Sequence, residues 1–411
     1  MKLEIDYAAH PAFQNLVISG RRSLAQAGVY FRALDDLWQE ALAQSADVPP
    51  EALLRQFDLV QSREAGRLSE ALMPWIDSDY LPYVQQALSN SAEAIRREIS
   101  TIHAARRNPR RVGSEVESIR RSLVDAGIAG FQMGESALAS LNAALAPYRA
   151  QLLSQRDSND GARCYVVPPS KGEHWQIMKS FLREQRVEEA ISAYAGYPLE
   201  LEGYAFTYSH VGESWYRKCY LDISLPAPRT VQMHYDEDNL SAKSMFYLND
   251  VSEQNGAFSY LAAGRAEIAS RSQLAYFKYL DYANNDFAAM KGAPPTSYNR
   301  PVFITPWLRS EFARLPAELQ GSGGPGDDIL DGTPLSDFLI ANERRLTGPA
   351  GYLALFAGGE TLHRGGVIES GERFALQMIY KSPPSAARRA ARRLRSLGRV
   401  LPRLTARLRG S

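Results

Sequence analysis

The stretch Val231-Gln232-Met233-His234-Tyr235-Asp236 contains a histidine and an aspartate two residues apart. If this segment is extended, alternate side chains point to the same face, so His234 and Asp236 lie side by side. An imidazole and a carboxylate are both suitable ligands for a divalent metal ion. The sequence therefore predicts part of a metal site on a β-strand.

A third candidate ligand lies far downstream, at the end of Leu355-Phe356-Ala357-Gly358-Gly359-Glu360-Thr361-Leu362-His363. Two histidines and one carboxylate on one side of a metal leave the opposite positions open, as in the facial triad of non-heme Fe(II) sites. We predict that His234, Asp236 and His363 are metal ligands and catalytic residues. The alternative is two histidines that are hydrogen-bonded inside a β core and bind no metal.

Other motifs surround these ligands. The stretch Phe246-Tyr247-Leu248-Asn249-Asp250-Val251, with Asn255-Gly256 after it, combines a strand pattern with turn residues. Arg373 follows His363 by ten residues, within Gly371-Glu372-Arg373-Phe374. Together with His234-Tyr235-Asp236 as an HxD motif, these residues resemble the iron(II)- and 2-oxoglutarate-dependent oxygenase superfamily. The resemblance is to its prolyl-hydroxylase-like and phytanoyl-CoA-dioxygenase-like branches, and it covers about Ser114 to Ser382.

The resemblance implies a role for each matched residue. His234, Asp236 and His363 would hold Fe(II), leaving positions for 2-oxoglutarate and O2. Arg373 would bind the distal carboxylate of 2-oxoglutarate, and Tyr247 would hydrogen-bond the same group. Because halogenating members lack a carboxylate at the position of Asp236, the resemblance implies hydroxylation, or a related C–H oxidation, rather than halogenation. Hydroxylation of the substrate would release succinate and CO2.

Two other functions remain open at this stage. One is a cupin-like metal enzyme that does not use 2-oxoglutarate, which Arg373 disfavours. The other is a non-catalytic scaffold with a vestigial jelly roll, which an intact triad disfavours. The substrate is not encoded in a motif, and a small metabolite, a glycan and a lipid-linked molecule are the classes that we consider.

The chain divides into regions of different pattern. Residues 1–113 predict a helical N-terminal domain and a linker, since apolar residues recur at helical spacing in Leu34, Leu37, Trp38, Ala41 and Leu42. Residues 114–384 predict the oxygenase domain, with an insertion at about residues 263–348. The fold class is therefore α+β, with a double-stranded β-helix (jelly roll) core.

Particular elements are also predicted within the oxygenase domain. Ser114 and Glu117 suggest a capping box at the start of a helix, and residues 176–195 suggest a single helix. Gly321-Ser322-Gly323-Gly324-Pro325-Gly326 suggests a flexible linker within the insertion. Strands are predicted at residues 164–167, 203–208, 215–225, 230–234, 242–248, 257–261, 352–356 and 373–380.

Aromatic residues of the insertion have two interpretations. Five of them recur within one short segment, namely Tyr276, Phe277, Tyr279, Tyr282 and Phe287. A buried helix face and a substrate clamp both explain this pattern, and the sequence does not decide between them.

The composition excludes several classes of protein. An apolar content of 45% in 411 residues supports a sizeable core. Cys164 and Cys219 have no CxxC spacing, which favours a reducing compartment. No run of 18 apolar residues occurs, and the N-terminus has no signal-like apolar segment. We therefore expect a cytoplasmic protein without a membrane span.

The C-terminal tail, residues 385–411, is basic. From Lys381 to Ser411 there are ten basic residues and no acidic ones, so the rest of the chain is net negative. A basic amphipathic helix at the inner membrane face and a solvated disordered tail are both consistent with this pattern. Nucleic-acid binding is disfavoured, because no aromatic residue is interleaved for base stacking.

If the tail binds a membrane, the full chain should co-sediment with anionic vesicles more strongly than a chain that ends at Pro384. Each arginine near an anionic surface contributes about 1 kcal/mol to binding. Neutral vesicles are the control. Equal sedimentation of the two chains with anionic vesicles would assign the tail to solvent.

Overall fold

The computed structural model describes residues 7, 9–13, 23–43, 49–106, 112–156, 163–212, 220, 224–236, 240–261, 270–293, 302 and 305–383. The main described helices are α1 (Ala25–Ala43), α2 (Pro50–Leu72), α3 (Leu81–Arg106), α4 (Ser114–Ala126), α5 (Glu135–Ser154), α6 (Glu173–Glu184), α7 (Val187–Ala195), α8 (Arg271–Met290), α9 (Pro306–Arg314) and α10 (Pro334–Asn342). The described strands are β1 (Ile128–Gln132), β2 (Arg163–Val166), β3 (Glu200–His210), β4 (Ser241–Tyr247), β5 (Phe258–Leu261), β6 (Glu343–Leu346), β7 (Tyr352–Phe356), β8 (His363–Arg364) and β9 (Glu372–Lys381).

The strands form two antiparallel sheets. The larger has the order β1-β7-β4-β9-β3-β2, and the smaller has the order β6-β5-β8. Every strand pair in the described part of the chain is antiparallel. Mixed helices and antiparallel sheets confirm the α+β class and exclude a parallel βαβ arrangement around His234.

Strand β9 shows how the larger sheet is covered. Phe374, Leu376, Met378 and Tyr380 alternate along it and are all buried in one apolar cluster. That cluster includes residues of α4, α5, α6 and α7, so these helices cover one face of the sheet. The alternate residues, such as Arg373 and Gln377, point to the other face. This second face is where polar side chains collect.

The two sheets pack against each other through a smaller apolar cluster. It contains Met245 and Tyr247 of β4, Phe258 and Tyr260 of β5, and Phe356 of β7. The Phe258 and Phe356 ring centroids lie 4.7 Å apart. The short sheet therefore lies over one end of the polar face.

The N-terminal helices share a core with the insertion. Tyr30, Phe31 and Tyr80 lie in the same buried cluster as Tyr276 and Phe287 of α8. Ring contacts join Phe31 to Tyr276 and Tyr80 to Phe287, and the Tyr80 hydroxyl donates to Asn284 Oδ1 at 2.6 Å. Helix α8 therefore packs against the N-terminal helices along its apolar side.

Several predicted elements have different boundaries in the structure. Helix α4 begins at Ser114, but its N-cap is Gly113 without a side-chain cap, so the capping box is wrong. Glu117 instead pairs with Arg120 one turn along the helix. Residues 176–195 form two helices, because Arg186 adopts a left-handed φ of 53° between them. Strands β1, β6 and β8 were not predicted, and β6 is the last part of the predicted insertion.

The glycine-rich segment is not a flexible linker. Gly321, Gly323 and Gly326 are buried. A Cβ on Gly321 would lie 2.5 Å from the Phe277 ring, and one on Gly326 would lie 2.2 Å from the carbonyl oxygen of Thr230. These glycines permit close contact with α8 and with the segment before His234. Their physical role is packing, which a composition pattern does not distinguish from flexibility.

Some predictions lie outside the described residues. These are most of the arginine-rich linker, most of the strand predicted at residues 215–225, Cys219, and the whole tail at residues 385–411. Cys164 is buried. Within the described part of the chain, no helix combines the length and the apolar character needed to cross a bilayer.

Gly326→Ala should lower the thermal midpoint of unfolding, because its Cβ would overlap the Thr230 carbonyl and lie 2.6 Å from Met233 Cβ. Overpacking against backbone costs about 1–3 kcal/mol. The matched control is Gly66→Ala within α2, where nothing lies within 4 Å of the added methyl. The control should be neutral or stabilising, since alanine favours a helix. Equal midpoints for the two variants would contradict the packing role.

Candidate metal centre

Backbone pairing brings the two candidate histidines together. His234 N–H donates to the His363 carbonyl at 2.9 Å, and His363 N–H donates to the His234 carbonyl at 3.1 Å. The two ring centroids lie 4.5 Å apart. This reciprocal pair joins β8 to a single residue of the upstream segment, rather than to a strand.

The segment before His234 is a turn, which corrects the strand predicted at residues 230–234. Gln232 has a φ of 65°, and its N–H donates to Asp327 Oδ1 at 2.9 Å. The glycine-rich segment supplies further partners, since Tyr235 N–H donates to Gly323 and Gly326 N–H donates to Met233. These contacts replace the hydrogen bonds of a neighbouring strand. His234 and Asp236 nevertheless point to the same site.

The ligand atoms of His234, Asp236 and His363 all lie within 4.8 Å of one another. Nδ1 of His234 is 2.7 Å from the Gln232 carbonyl, and Nδ1 of His363 is 2.8 Å from the Thr361 carbonyl. A carbonyl only accepts, so each Nδ1 carries the proton and donates it. Nε2 of each ring is then left with its lone pair, which is the form that binds a metal.

His363 is enclosed by aromatic rings. The centroids of Phe356 and Phe258 lie 4.8 and 5.7 Å from that of His363. Burial lowers the pKa of His363 to about 3, so its imidazole is neutral at neutral pH. A neutral imidazole in a dry surrounding is suited to ligation rather than to carrying a proton.

Asp236 is held as a carboxylate. Burial by itself would raise its pKa, but the adjacent Lys243 ammonium opposes burial and lowers the pKa of Asp236 below its usual range. Lys243 Nζ donates to Asp236 Oδ1 in a short ion pair. Asp236 Oδ2 is buried and has no hydrogen-bond partner among the described residues.

A tight turn, Ala357–Thr361, supports both sides of the triad. Asp236 N–H donates to the Gly358 carbonyl at 2.9 Å, and the Thr361 carbonyl orients His363. A Cβ on Gly358 would lie 1.6 Å from Asp236 Oδ2. Glycine is therefore required where the carboxylate passes over the turn. Two imidazoles and an orphaned buried carboxylate oxygen form a donor set that fits a divalent metal ion.

The triad opens into a cavity of about 530 Å³. Its floor is the polar face of the larger sheet, and α8 and the glycine-rich segment also line it. Basic side chains outnumber acidic ones in the described lining, where the charged residues are Arg163, Asp236, Lys243, Lys278, Asp281, Asp327, Arg373 and Lys381. The cavity therefore favours anionic ligands.

Arg373 lines this cavity. Its side chain is buried, Nη1 donates to the Gly256 carbonyl in a short hydrogen bond, and Nη2 lies 3.5 Å from Ser209 Oγ. The Gly256 carbonyl and the Ser209 hydroxyl contact the guanidinium. The arrangement places a cation in the same cavity as the candidate metal ligands.

Tyr247 is buried where the two sheets meet. Its hydroxyl donates to the Leu346 carbonyl at 2.8 Å and accepts from Phe258 N–H at 3.1 Å. Burial raises the pKa of Tyr247 to about 12. Tyr247 joins the two sheets and is not among the residues that line the cavity. Sequence analogy assigned a binding role to a residue whose hydroxyl is occupied by backbone.

The insertion aromatics divide between the two interpretations. Tyr276, Phe277 and Phe287 are buried in the core shared with the N-terminal helices. Tyr282 is partly exposed and lines the cavity. His174 is buried against the Tyr204 hydroxyl. One aromatic residue, rather than five, is placed to contact a substrate.

Sequence reasoning missed Lys243 and the role of Gly358. A lysine at the centre of Ser241-Ala242-Lys243-Ser244-Met245, in a strand that is otherwise buried, is a signal that could have been used. Gly358 stands in a quoted motif, but its contact with Asp236 requires two segments that are distant in sequence. Only the folded chain shows it.

Comparisons with known proteins give structural likenesses at low identity. The sequence matches no family model and no curated protein. The non-heme alpha ketoglutarate dependent epimerase SnoN from nogalamycin biosynthesis is 11% identical, over 65% of this chain and 83% of that one, with a TM-score of 0.34. A Pseudomonas putida prolyl-4-hydroxylase is 12% identical, over 66% and 100%, with a TM-score of 0.31. HygX from Streptomyces hygroscopicus, with nickel and 2-oxoglutarate bound, is 13% identical, over 66% and 88%, with a TM-score of 0.30. Likenesses at this level carry no argument about activity.

Gly358→Ala should weaken Ni(II) binding by at least about tenfold. The added methyl group would displace the Asp236 carboxylate from its position beside the two histidines. Calorimetric titration of the folded protein measures the effect. Gly365→Ala is the matched control, since Gly365 also lines the cavity and its added Cβ would have its nearest contact at 4.0 Å. Equal Ni(II) affinity in both variants would show that Asp236 is not a ligand at this position.

Proposed function

We propose that this chain is an Fe(II)- and 2-oxoglutarate-dependent oxygenase that hydroxylates its substrate in a jelly-roll core. The observation that carries the proposal is the convergence of His234, Asp236 and His363, with their ligand atoms within 4.8 Å, in one cavity with the buried Arg373. Two antiparallel sheets packed through a common apolar cluster support the jelly-roll assignment. Residues 114–384 are the proposed oxygenase domain, and residues 1–113 the proposed helical domain.

The chain's own residues would prepare the site for the metal. The Nδ1 protons of both histidines are engaged by backbone carbonyls, which directs each Nε2 toward the site. Lys243 engages one oxygen of Asp236 and leaves Oδ2 available. When bound, Fe(II) with 2-oxoglutarate and O2 supplies the oxidising power for substrate hydroxylation, and 2-oxoglutarate is converted to succinate and CO2.

Arg373 would bind the distal carboxylate of 2-oxoglutarate. A planar guanidinium recognises a carboxylate through two parallel hydrogen bonds, and the buried position strengthens them. The Ser209 hydroxyl beside Nη2 keeps the guanidinium oriented. This assignment favours the 2-oxoglutarate enzyme over a cupin-like enzyme, which has no use for a buried cation at this place.

The substrate is proposed to be an anionic small molecule, or a glycan-linked or lipid-linked one. Three lysines support an anionic group, because Lys243, Lys278 and Lys381 all line the cavity. Tyr282 of α8 supplies an aromatic surface at the same cavity. We also propose that the chain is cytoplasmic and contacts the inner face of a membrane. This contact would be made by the basic tail, residues 385–411.

Arg373→Leu should raise the 2-oxoglutarate concentration at half-maximal succinate release by about a hundredfold, since loss of a two-pronged ionic contact costs about 2–3 kcal/mol. Ni(II) affinity should stay unchanged in this variant. The same succinate assay is then run with matched anionic and neutral compounds. The compounds that stimulate succinate release identify the substrate class.

Two controls define the outcome. Arg163→Leu removes another basic residue of the cavity, which is hydrogen-bonded to Gln377, and should leave the 2-oxoglutarate dependence unaltered. His234→Ala should abolish both Ni(II) binding and succinate release. If Arg373→Leu and Arg163→Leu behave alike, Arg373 is not the anchor. If the wild-type protein releases no succinate with Fe(II), the oxygenase proposal fails.

A further inference from the structure

Arg271, at the start of α8, lies where three distant parts of the chain meet. Its Nη1 is 2.6 Å from Glu98 Oε2 of α3, and its Nη2 is 2.7 Å from Glu360 Oε1. Its guanidinium carbon lies 4.0 Å from the centroid of the Trp38 ring of α1. One planar cation therefore contacts two N-terminal helices and the turn that supports the triad.

The start of α8 is fixed by further contacts to the same helices. Ser272 N–H donates to Asp35 Oδ1 at 2.9 Å, and the Ser272 hydroxyl donates to the Phe31 carbonyl at 3.0 Å. Ser270 and Gln273 form a capping box at the first turn. Because these side chains hold the first turn of α8, the position of Arg271 is determined by the N-terminal helices.

Glu360 connects this cluster to the triad. It belongs to the turn Ala357–Thr361, in which the Glu360 and Thr361 amides both donate to the Ala357 carbonyl. Its second oxygen, Oε2, accepts from the Tyr194 hydroxyl of α7 at 2.9 Å. The same turn supplies the Gly358 carbonyl to Asp236 and the Thr361 carbonyl to His363.

The charges of this cluster depend on one another. The side chains of Glu98, Glu360 and Arg271 are 3%, 18% and 19% exposed, so water compensates them poorly. Removal of one partner from a buried ion pair leaves an uncompensated charge, and the backbone around that charge must then adjust. For Glu360 the backbone that adjusts is the turn that orients two candidate ligands.

We propose that Arg271 is a positioning residue, which ties the N-terminal helices to the turn Ala357–Thr361 and thereby sets the geometry of the metal site. The helical region is then an integral part of the site rather than a separate module. This inference rests on the proposed metal site for its consequence, but the connection between Arg271 and the turn stands on the contacts alone.

A second cavity marks the same junction. It has a volume of about 220 Å³ and is lined by residues from α1, α3, α7 and β4 together with Arg271 and Glu360. Ser241 lines this cavity and also the larger one at the triad. The two cavities are therefore adjacent at Ser241.

The test compares Arg271→Met, Arg271→Lys and Glu360→Gln in the full-length chain. Hydrogen exchange is measured at peptides that cover residues 357–363 and 231–236, without any metal present. Loss of the Arg271 contacts to Glu98 and Glu360 should speed amide exchange in these peptides by about tenfold or more, since local opening of the backbone is no longer opposed. Calorimetric Ni(II) titration should show affinity lower by about tenfold to a hundredfold, as for other residues that support metal ligands.

Arg96→Met is the matched control. It removes an arginine–carboxylate pair with Asp58 that lies within the N-terminal helices and away from the turn. This control should change neither exchange at residues 357–363 nor Ni(II) affinity. Arg271→Lys keeps the positive charge but loses the planar guanidinium that contacts both carboxylates. Its amide exchange rates and Ni(II) affinity should lie between those of wild type and Arg271→Met.

Each outcome has a distinct meaning. Wild-type exchange at residues 357–363 in Arg271→Met and Glu360→Gln would overturn the inference. If Arg271→Met does not fold, Arg271→Lys and Glu360→Gln decide by the same measurement. If the wild-type chain binds no Ni(II), the proposed function fails, while exchange at the turn still decides whether Arg271 positions it.

Discussion

Two reciprocal backbone hydrogen bonds between His234 and His363 are the constraint on which the site depends. They join segments that are far apart in sequence, so the chain between them must close a long loop before the pair can form. Two hydrogen bonds do not offset that entropy. The surrounding sheets do so, because β7 and β9, which flank His363 in sequence, are paired with β4 and β3 along most of their length. The triad is thus a consequence of sheet assembly rather than a local motif.

Close approach of backbone segments is the second requirement, and glycines meet it. Gly358 lies under the Asp236 carboxylate, and Gly326 lies against the carbonyl of Thr230. A methyl group at either position would overlap its neighbour. Because interiors are packed as densely as organic crystals, such contacts leave few alternative positions for the ligands. The glycine-rich segment is in this sense part of the site. It forms two backbone hydrogen bonds with the residues beside His234, and Asp327 directly after the segment accepts from Gln232 N–H.

Buried cations organise the polar parts of the molecule. Lys243 holds the Asp236 carboxylate, Arg373 is held by the Gly256 carbonyl and Ser209, and Arg271 bridges Glu98 and Glu360. Each cation has acceptors that compensate the loss of water, as burial of charge requires. Two of them lie in the cavity, and the third lies at its border with the N-terminal helices. The helical region therefore contributes electrostatic contacts to the turn Ala357–Thr361 in addition to the shared apolar core.

The amino-acid sequence by itself determined the element types and the ligand candidates. Segments rich in β-forming residues identified β4, β5, β7 and β9, and helical periodicity identified α1, because these patterns depend on neighbours within one strand or one turn. The sequence likewise indicated candidate ligands, since metal and carboxylate chemistry restricts the residue types. These candidates are His234, Asp236, His363 and Arg373. The flexible glycine linker and the strand before His234 were misassigned, because partners from distant segments decide them: the Phe277 ring and the Asp327 carboxylate. Tertiary structure alone placed Lys243 on Asp236 and Arg271 on Glu360, since the pairing of charges depends on distance in space and not on spacing along the chain.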